Sequence, residues 1–261
     1  LRTIRLLNVF WTTSISSELE YRINVLVEFS ATIGNLLGSI FLLSLFYTSG
    51  STLGGWSWEA SLIVLGIYTL LESVIYIILQ PNLSRIVRHV QNGTLDFVLL
   101  KPVDSQLWLS FRVVSPWGIP SFLAGICLIF YGLATSNINL SIGNFLWFSL
   151  LMLNSLAILY SLWFLLATTS IWFVKIWNVT EVLRSTLVAG RYPIYAYPFM
   201  LRAIFTFVIP IAFLTTFPAE AILGYVSTDK IIASVAVSII SIYFTRWFWR
   251  YALRFYTSAS S

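Results

Sequence analysis

Arg85, Arg88, His89, Asp96, Lys101 and Asp104 crowd into one polar stretch, residues 80–112. The apolar runs on either side, residues 60–79 and 113–133, hold a single charge between them, Glu72. Catalysis would need a nucleophile, a base and an orienting group converging on one point. Here the acids are scattered, and His89 is the only histidine, with no cysteine or glutamate at ligand spacing. Cys127 stands alone in an apolar run, so neither a disulfide framework nor a cysteine metal site is expected. A polar island between apolar runs can instead touch a soluble partner, which lipid-buried helices cannot do.

The elements that must hold this island are membrane helices. The chain has 261 residues, 58% hydrophobic and 10% charged, with a mean hydropathy of +0.86. Soluble domains carry about 25% charged residues, so uncharged runs of bilayer length place the chain in the membrane class. Candidate spans fall at residues 23–47, 57–79, 113–133, 144–166, 203–217 and 231–249, the fifth short and interrupted by Pro210. The last expectation is a tilted or broken helix packed against protein. The fold class is therefore all-α and polytopic, a single transmembrane domain over residues 1–261. No signal peptide is expected, because the basic amino end lacks a short apolar core.

Of the basic residues, Arg2, Arg5, Arg22, Arg85, Arg88, Lys101, Arg112, Lys175, Arg184, Arg191, Arg202, Arg246, Arg250 and Arg254 fall at alternate ends of these spans, and only Lys230 falls opposite. By the positive-inside rule both termini are cytoplasmic. The net charge of +5 is topological and does not call for nucleic acid. Trp56, Trp58, Trp147, Trp247, Trp249 and Tyr251 lie near span ends, where interfacial aromatics belong.

Within the island, Pro81 is expected to end the second span. Leu83, Ile86, Val87 and Val90 then follow one helical face, with Ser84, Arg85, Arg88 and His89 on the other. Gly93 is placed to cap this helix, and Asp104 or Ser105 to start the next. Residues 1–20, with Ile4, Leu7, Trp11 and Ile15 at helical steps apart from Arg2, Arg5 and Asn8, read as an interfacial helix. Residues 178–202 read as a second cytoplasmic loop, its helix opened by Asn178 and Glu181 and stopped by Gly190 and Pro193. Residues 218–230 read as a short external helix and loop, from Pro218 to Gly224.

Glu28 and Glu72 lie inside spans one and two, where an acid costs about 2.5–3.5 kcal/mol at the helix centre. With Asn35 and Tyr76 they either line a pathway favouring cationic or amphipathic molecules, or are answered within the protein, by Arg22 or Tyr76 for example. Pro116, Gly118 and Pro120 predict a kink in span three.

Asn92-Gly93-Thr94-Leu95-Asp96-Phe97-Val98-Leu99-Leu100-Lys101-Pro102 resembles the cytoplasmic-loop signature of bacterial ABC exporter permeases. Phe207-Val208-Ile209-Pro210-Ile211-Ala212 and Phe217-Pro218-Ala219 resemble further signatures of the same branch, whose layout is similar to the type V exporter fold. The resemblance implies a permease in the bacterial inner membrane, moving a substrate out by alternating access. Its partners would be ABC ATPases holding ATP and Mg, a second permease (a heterodimer over a homodimer) and membrane lipids. It also implies a coupling helix seated in the ATPase, drawn from Leu83, Arg85, Ile86, Arg88, His89, Gly93, Thr94, Asp96, Lys101 and Pro102. The chain lacks a phosphate-cradling Gly-rich loop ending in Lys and Ser/Thr, so it is not expected to hydrolyse ATP. An ion-coupled secondary transporter and a membrane scaffold subunit are the alternatives.

Overall fold

Pro81 lacks the N–H that would bond the carbonyl of Ile77, and its ring crowds that carbonyl. In the computed structural model the helix nevertheless passes through it. Helix α1 (Arg22–Ser44) is followed by α2 (Trp58–Val74), which enters a π-helical turn at Ile75–Leu79 and continues as α3 (Gln80–Gln91). Widening to a π turn releases backbone groups, and a loop N–H and a side-chain amide take them up. The Ile77 carbonyl accepts the Ser115 N–H at 2.9 Å, and the Ile78 carbonyl accepts Asn82 Nδ2 at 2.7 Å. The expected stop at Pro81 is thus corrected: the island helix is a rigid extension of span two.

The structure describes residues 11–13, 22–47, 52–136, 138, 140–173 and 177–257, the side chains of 22–25 and 177–180 excepted. Of the expected amino-terminal helix, residues 11–13 are helical, and Trp11 Nε1 donates to the Phe111 carbonyl at 3.0 Å. Ile4, Leu7, Ile15, Arg2, Arg5 and Asn8 lie outside the described residues, as do Lys175 and the Asn178 side chain.

After α3 come α4 (Asp96–Leu99), α5 (Ser105–Phe111) and α6 (Ile119–Thr135). The kink expected near Pro116 takes the form of a 3₁₀ turn at Pro116–Gly118. Gly118, Gly125 and Gly132, seven residues apart, bring α6 onto α2 with almost no gap. A Cβ would stand 2.6 Å from the Ser73 carbonyl at Gly118, 2.8 Å from that of Gly66 at Gly125, and 2.9 Å from that of Glu59 at Gly132. Lipid is as apolar as a side chain, so this close packing, and not a hydrophobic drive, holds the pair.

Helix α7 (Ile142–Thr168) lies against α11 (Thr228–Ala252), joined by Ser238 Oγ donating to Asn154 Oδ1 at 2.9 Å. Trp249, expected as an interfacial anchor, is 1% exposed, packs edge-on against Phe164 and donates to Ser105 Oγ.

Between α7 and α11 the chain departs from the sequence reading. Helix α8 (Trp177–Leu187) packs against α7, and its Arg184 donates to the Tyr76 hydroxyl. Further on, Arg191 reaches Asn35 in α1, Ile194 bonds Thr216, and Tyr195 stacks on Trp56 at the opposite end. Residues 177–197 therefore cross from one end to the other, which corrects the expected loop over 178–202. Short α-helical and 3₁₀ segments make this crossing, and its arginines are met by Tyr76, Tyr68 and Asn35.

Helix α9 (Phe199–Ala203) and its π extension Ile204–Val208 then meet a second limb at 79°. That limb is the π turn Ala212–Thr216 and α10 (Phe217–Leu223). Arg202 bonds the Tyr195 and Tyr197 carbonyls, while Gly224 abuts Asn144 at the start of α7. Both limbs open at the Trp56 end, so the tilted or broken helix expected at 203–217 takes the form of two limbs bent sharply at Pro210. The segment expected as an external helix is its inner limb, with every residue of α10 buried. Gly224, at φ 80°, ends it in the left-handed conformation that glycine adopts without a steric penalty.

Candidate functional site

At the end carrying both described terminal segments, the island folds into a knob. The Asn92 N–H bonds the Arg88 carbonyl, and the Gly93 and Thr94 N–H groups bond those of Val90 and His89. Gly93 sits at φ 65°, completing the glycine cap expected from the sequence. His89 Nδ1 and Thr94 Oγ1 lie 2.8 Å apart across this cap. Asp104 accepts from the Leu107 N–H at 3.1 Å and starts α5, as its residue type predicts.

Two ties fix the knob to the spans. Asn82, 1% exposed, accepts the Val113 N–H at 2.9 Å and donates to the Val113 carbonyl at 2.7 Å. Arg246 of α11 pairs with Asp104 and donates to Gln106 Oε1 at 3.1 Å. The Arg246 hydrogen bond holds the Asp104 carboxyl below the usual range.

Leu83 and Ile86 are fully buried in this chain's own core. Their spacing was read correctly as one apolar face, but α7, not a partner, covers it. Arg85, Arg88 and His89 occupy the other face. Lys101 and Pro102 are exposed, with the Lys101 ammonium 3.9 Å above the Trp108 ring; Asp96 is partly buried at the start of α4. Sequence reasoning passed over the residues between. Leu95 and Val98 point into the core, while Phe97 (68% exposed) and Leu100 (80%) point out, with Leu99 and Leu107 beside them. The signal was present: Phe97-Val98-Leu99-Leu100 is an uncharged run within a polar loop.

The four intramembrane residues singled out from the sequence meet in one cavity of about 90 Å³, lined by Glu28, Asn35, Glu72 and Tyr76 together with Thr32, Tyr68, Ser121 and Arg191. The Tyr68 hydroxyl donates to Glu72 Oε1 at 3.3 Å. Arg191 Nη2 donates to Asn35 Oδ1 at 3.2 Å, with its guanidinium over the Tyr68 ring. Sequence reasoning missed Arg191 because it assigned that arginine to a loop.

A protein-family model described as an ABC-2 family transporter protein matches residues 33–260. The chain belongs to the ABC-2 family. No curated protein matches it. As an ABC-2 protein it is the membrane component, or permease, of an ABC transporter, and its family implies an ABC ATPase partner. Its helices Leu26–Tyr47, Trp58–Gln91, Pro116–Thr135, Ile142–Ile171 and Thr228–Ala252 are long and apolar enough to cross a bilayer. For such a permease the knob offers a contact surface with exposed apolar side chains, and the cavity gathers polar and charged side chains from several helices.

Proposed function

We propose that this ABC-2 permease is one of two different permeases in a bacterial inner-membrane exporter, driven by two ABC ATPases that bind ATP and Mg. The knob faces the cytoplasm and seats in the ATPase. The single observation that carries this reading is the exposure of Phe97 and Leu100 on a knob whose own core is complete. Apolar surface held in water costs about 25 cal/mol per Å², and a groove on a partner removes that cost. Arg85, Arg88, Lys101, Arg112, Arg246, Arg250 and Arg254 gather at this end, the bias expected of a cytoplasmic face. Arg202, expected on the same side as those residues, lies instead with Lys230 at the other end, beside Tyr195.

Closure of the ATPase pair on ATP would displace the knob. Because α3 continues α2, and Asp104 is tied to Arg246, that displacement passes directly into spans two and six, the kind of rigid-body motion that alternating access needs. The cavity between α1, α2, α6 and Arg191 is the substrate route in this account. Export as the direction, and a second permease of different sequence, follow from the resemblance of the 92–102 run to exporter loops.

The test is to purify the transporter with Phe97→Glu and Leu100→Glu combined. The expected result is at least tenfold less ATPase recovered with a permease of unchanged melting temperature. Full ATPase recovery would reject the knob as the docking element.

A further inference from the structure

The polar cavity holds charges of both signs, and they are unevenly answered. The Glu72 carboxylate accepts from Tyr68 and lies within the influence of both Arg191 and Arg184. Arg184 is engaged by the Tyr76 hydroxyl, so Arg191 is the guanidinium that lines the cavity beside Glu72. No carboxylate lies within ion-pair distance of Arg191 among the described residues, where the ion pairs are Lys230–Glu220 and Arg246–Asp104. Its Nε is buried with no acceptor, a state that calls for a missing partner. Glu28 has neither an ion pair nor a hydrogen bond among the described residues. It lines the same cavity, seven residues from Asn35 on α1, and so roughly 10 Å away along the axis.

We propose that this cavity binds a dipolar group: an anionic oxygen against Arg191 and a cationic nitrogen against Glu28. A purely cationic molecule would meet Arg191 and pay for its repulsion; a purely anionic one would meet Glu28 in the same way. A zwitterion whose two charges span the gap between them satisfies both ends, its anionic oxygen against the Arg191 guanidinium and its nitrogen against Glu28. The same chemistry occurs in lipid headgroups and in small soluble zwitterions. This inference deepens the transport reading and rests on it for the route, but not for binding.

Binding is measured without nucleotide, on the whole transporter in nanodiscs. The probes are phosphocholine, lysophosphatidylcholine, dodecyltrimethylammonium and dodecyl phosphate. Wild type should bind a zwitterionic probe at least tenfold more tightly than either singly charged probe. Saturable binding of phosphocholine identifies a soluble source, whereas binding of lysophosphatidylcholine alone identifies a headgroup. Glu28→Gln should shift preference towards dodecyl phosphate, and Arg191→Gln towards dodecyltrimethylammonium, each by about tenfold. Glu28 lies on an exposed face, so its variant reports even where the Arg191 variant loses structure. Equal affinity for cation and zwitterion, selectivity unmoved by Glu28→Gln, or no probe binding would overturn the proposal. Retained zwitterion binding with no ATP-driven movement would reject the exporter reading and leave this one standing.

Discussion

Two short apolar helices cap opposite ends of this permease, and they are treated in opposite ways. At the Trp56 end every residue of α10 is buried, and Glu220 is clasped by Lys230 at 2.6 Å and by the Tyr195 hydroxyl at 2.8 Å. At the other end α4 buries only Val98 and leaves Phe97 and Leu100 in the open. One end is finished within the chain; the other, on the function proposed here, is finished by the ATPase. Composition does not separate them, since both are mostly apolar with one acid. The covering elements do: the α10 limb packs against α7, whereas among the described residues Phe97 is left exposed.

That contrast breaks most sharply under an identical substitution at each end. Ala221→Glu places a charge where no exposed surface remains; an unpaired buried charge costs several kcal/mol, so folded protein should be lost in size-exclusion chromatography. Leu100→Glu should leave the melting temperature unchanged and lower only ATPase recovery. Next in size is Glu220→Gln, which leaves Lys230 without its carboxylate. Removing one partner of a buried pair costs about 3 kcal/mol, read as a fall in melting temperature. Asn82→Ala strands the N–H and C=O of Val113 and should cost about 1–3 kcal/mol. It should also slow ATP-coupled transport more than it weakens ATPase binding, because it loosens the knob without altering its surface.

The smallest effect belongs to Asp104→Asn. The Asp104–Arg246 pair is partly exposed, and such pairs contribute about 0.2–1 kcal/mol. Because the folded carboxyl is held below its ordinary value, this contribution is complete above the unfolded value near about 4. It is lost as pH falls through the lowered folded value. A melting curve followed against pH should therefore show the variant and wild type converging in acid, and diverging little in high salt.

The legible parts of the fold were those where one residue dictates local geometry. Gly93 and Gly224 ended their helices with positive φ, and Asp104 capped α5, as their chemistry requires. Long uncharged runs gave the other spans. The fifth crossing was illegible because Arg184 and Arg191 interrupt its hydropathy, and only the fold shows that Tyr76 and Asn35 receive them. The bent pair of limbs has the composition of one span; Pro210 announced the break between them, but not that both limbs open at the same end. Likewise the Leu83 and Ile86 periodicity announces a buried face without saying what buries it. The acids of the cavity could be picked out singly from their depth, but the arginine that changes its character came from a segment read as a loop.

The central claim is that the motor grips the knob. Its most direct measurement is disulfide cross-linking of the intact transporter in membranes, in a Cys127→Ser background with cysteines introduced into the ATPase groove. Leu100→Cys should cross-link to the ATPase in high yield, and Tyr225→Cys, exposed at the opposite end, should give none. A cross-link from position 225, or none from position 100 across the whole groove, would contradict it.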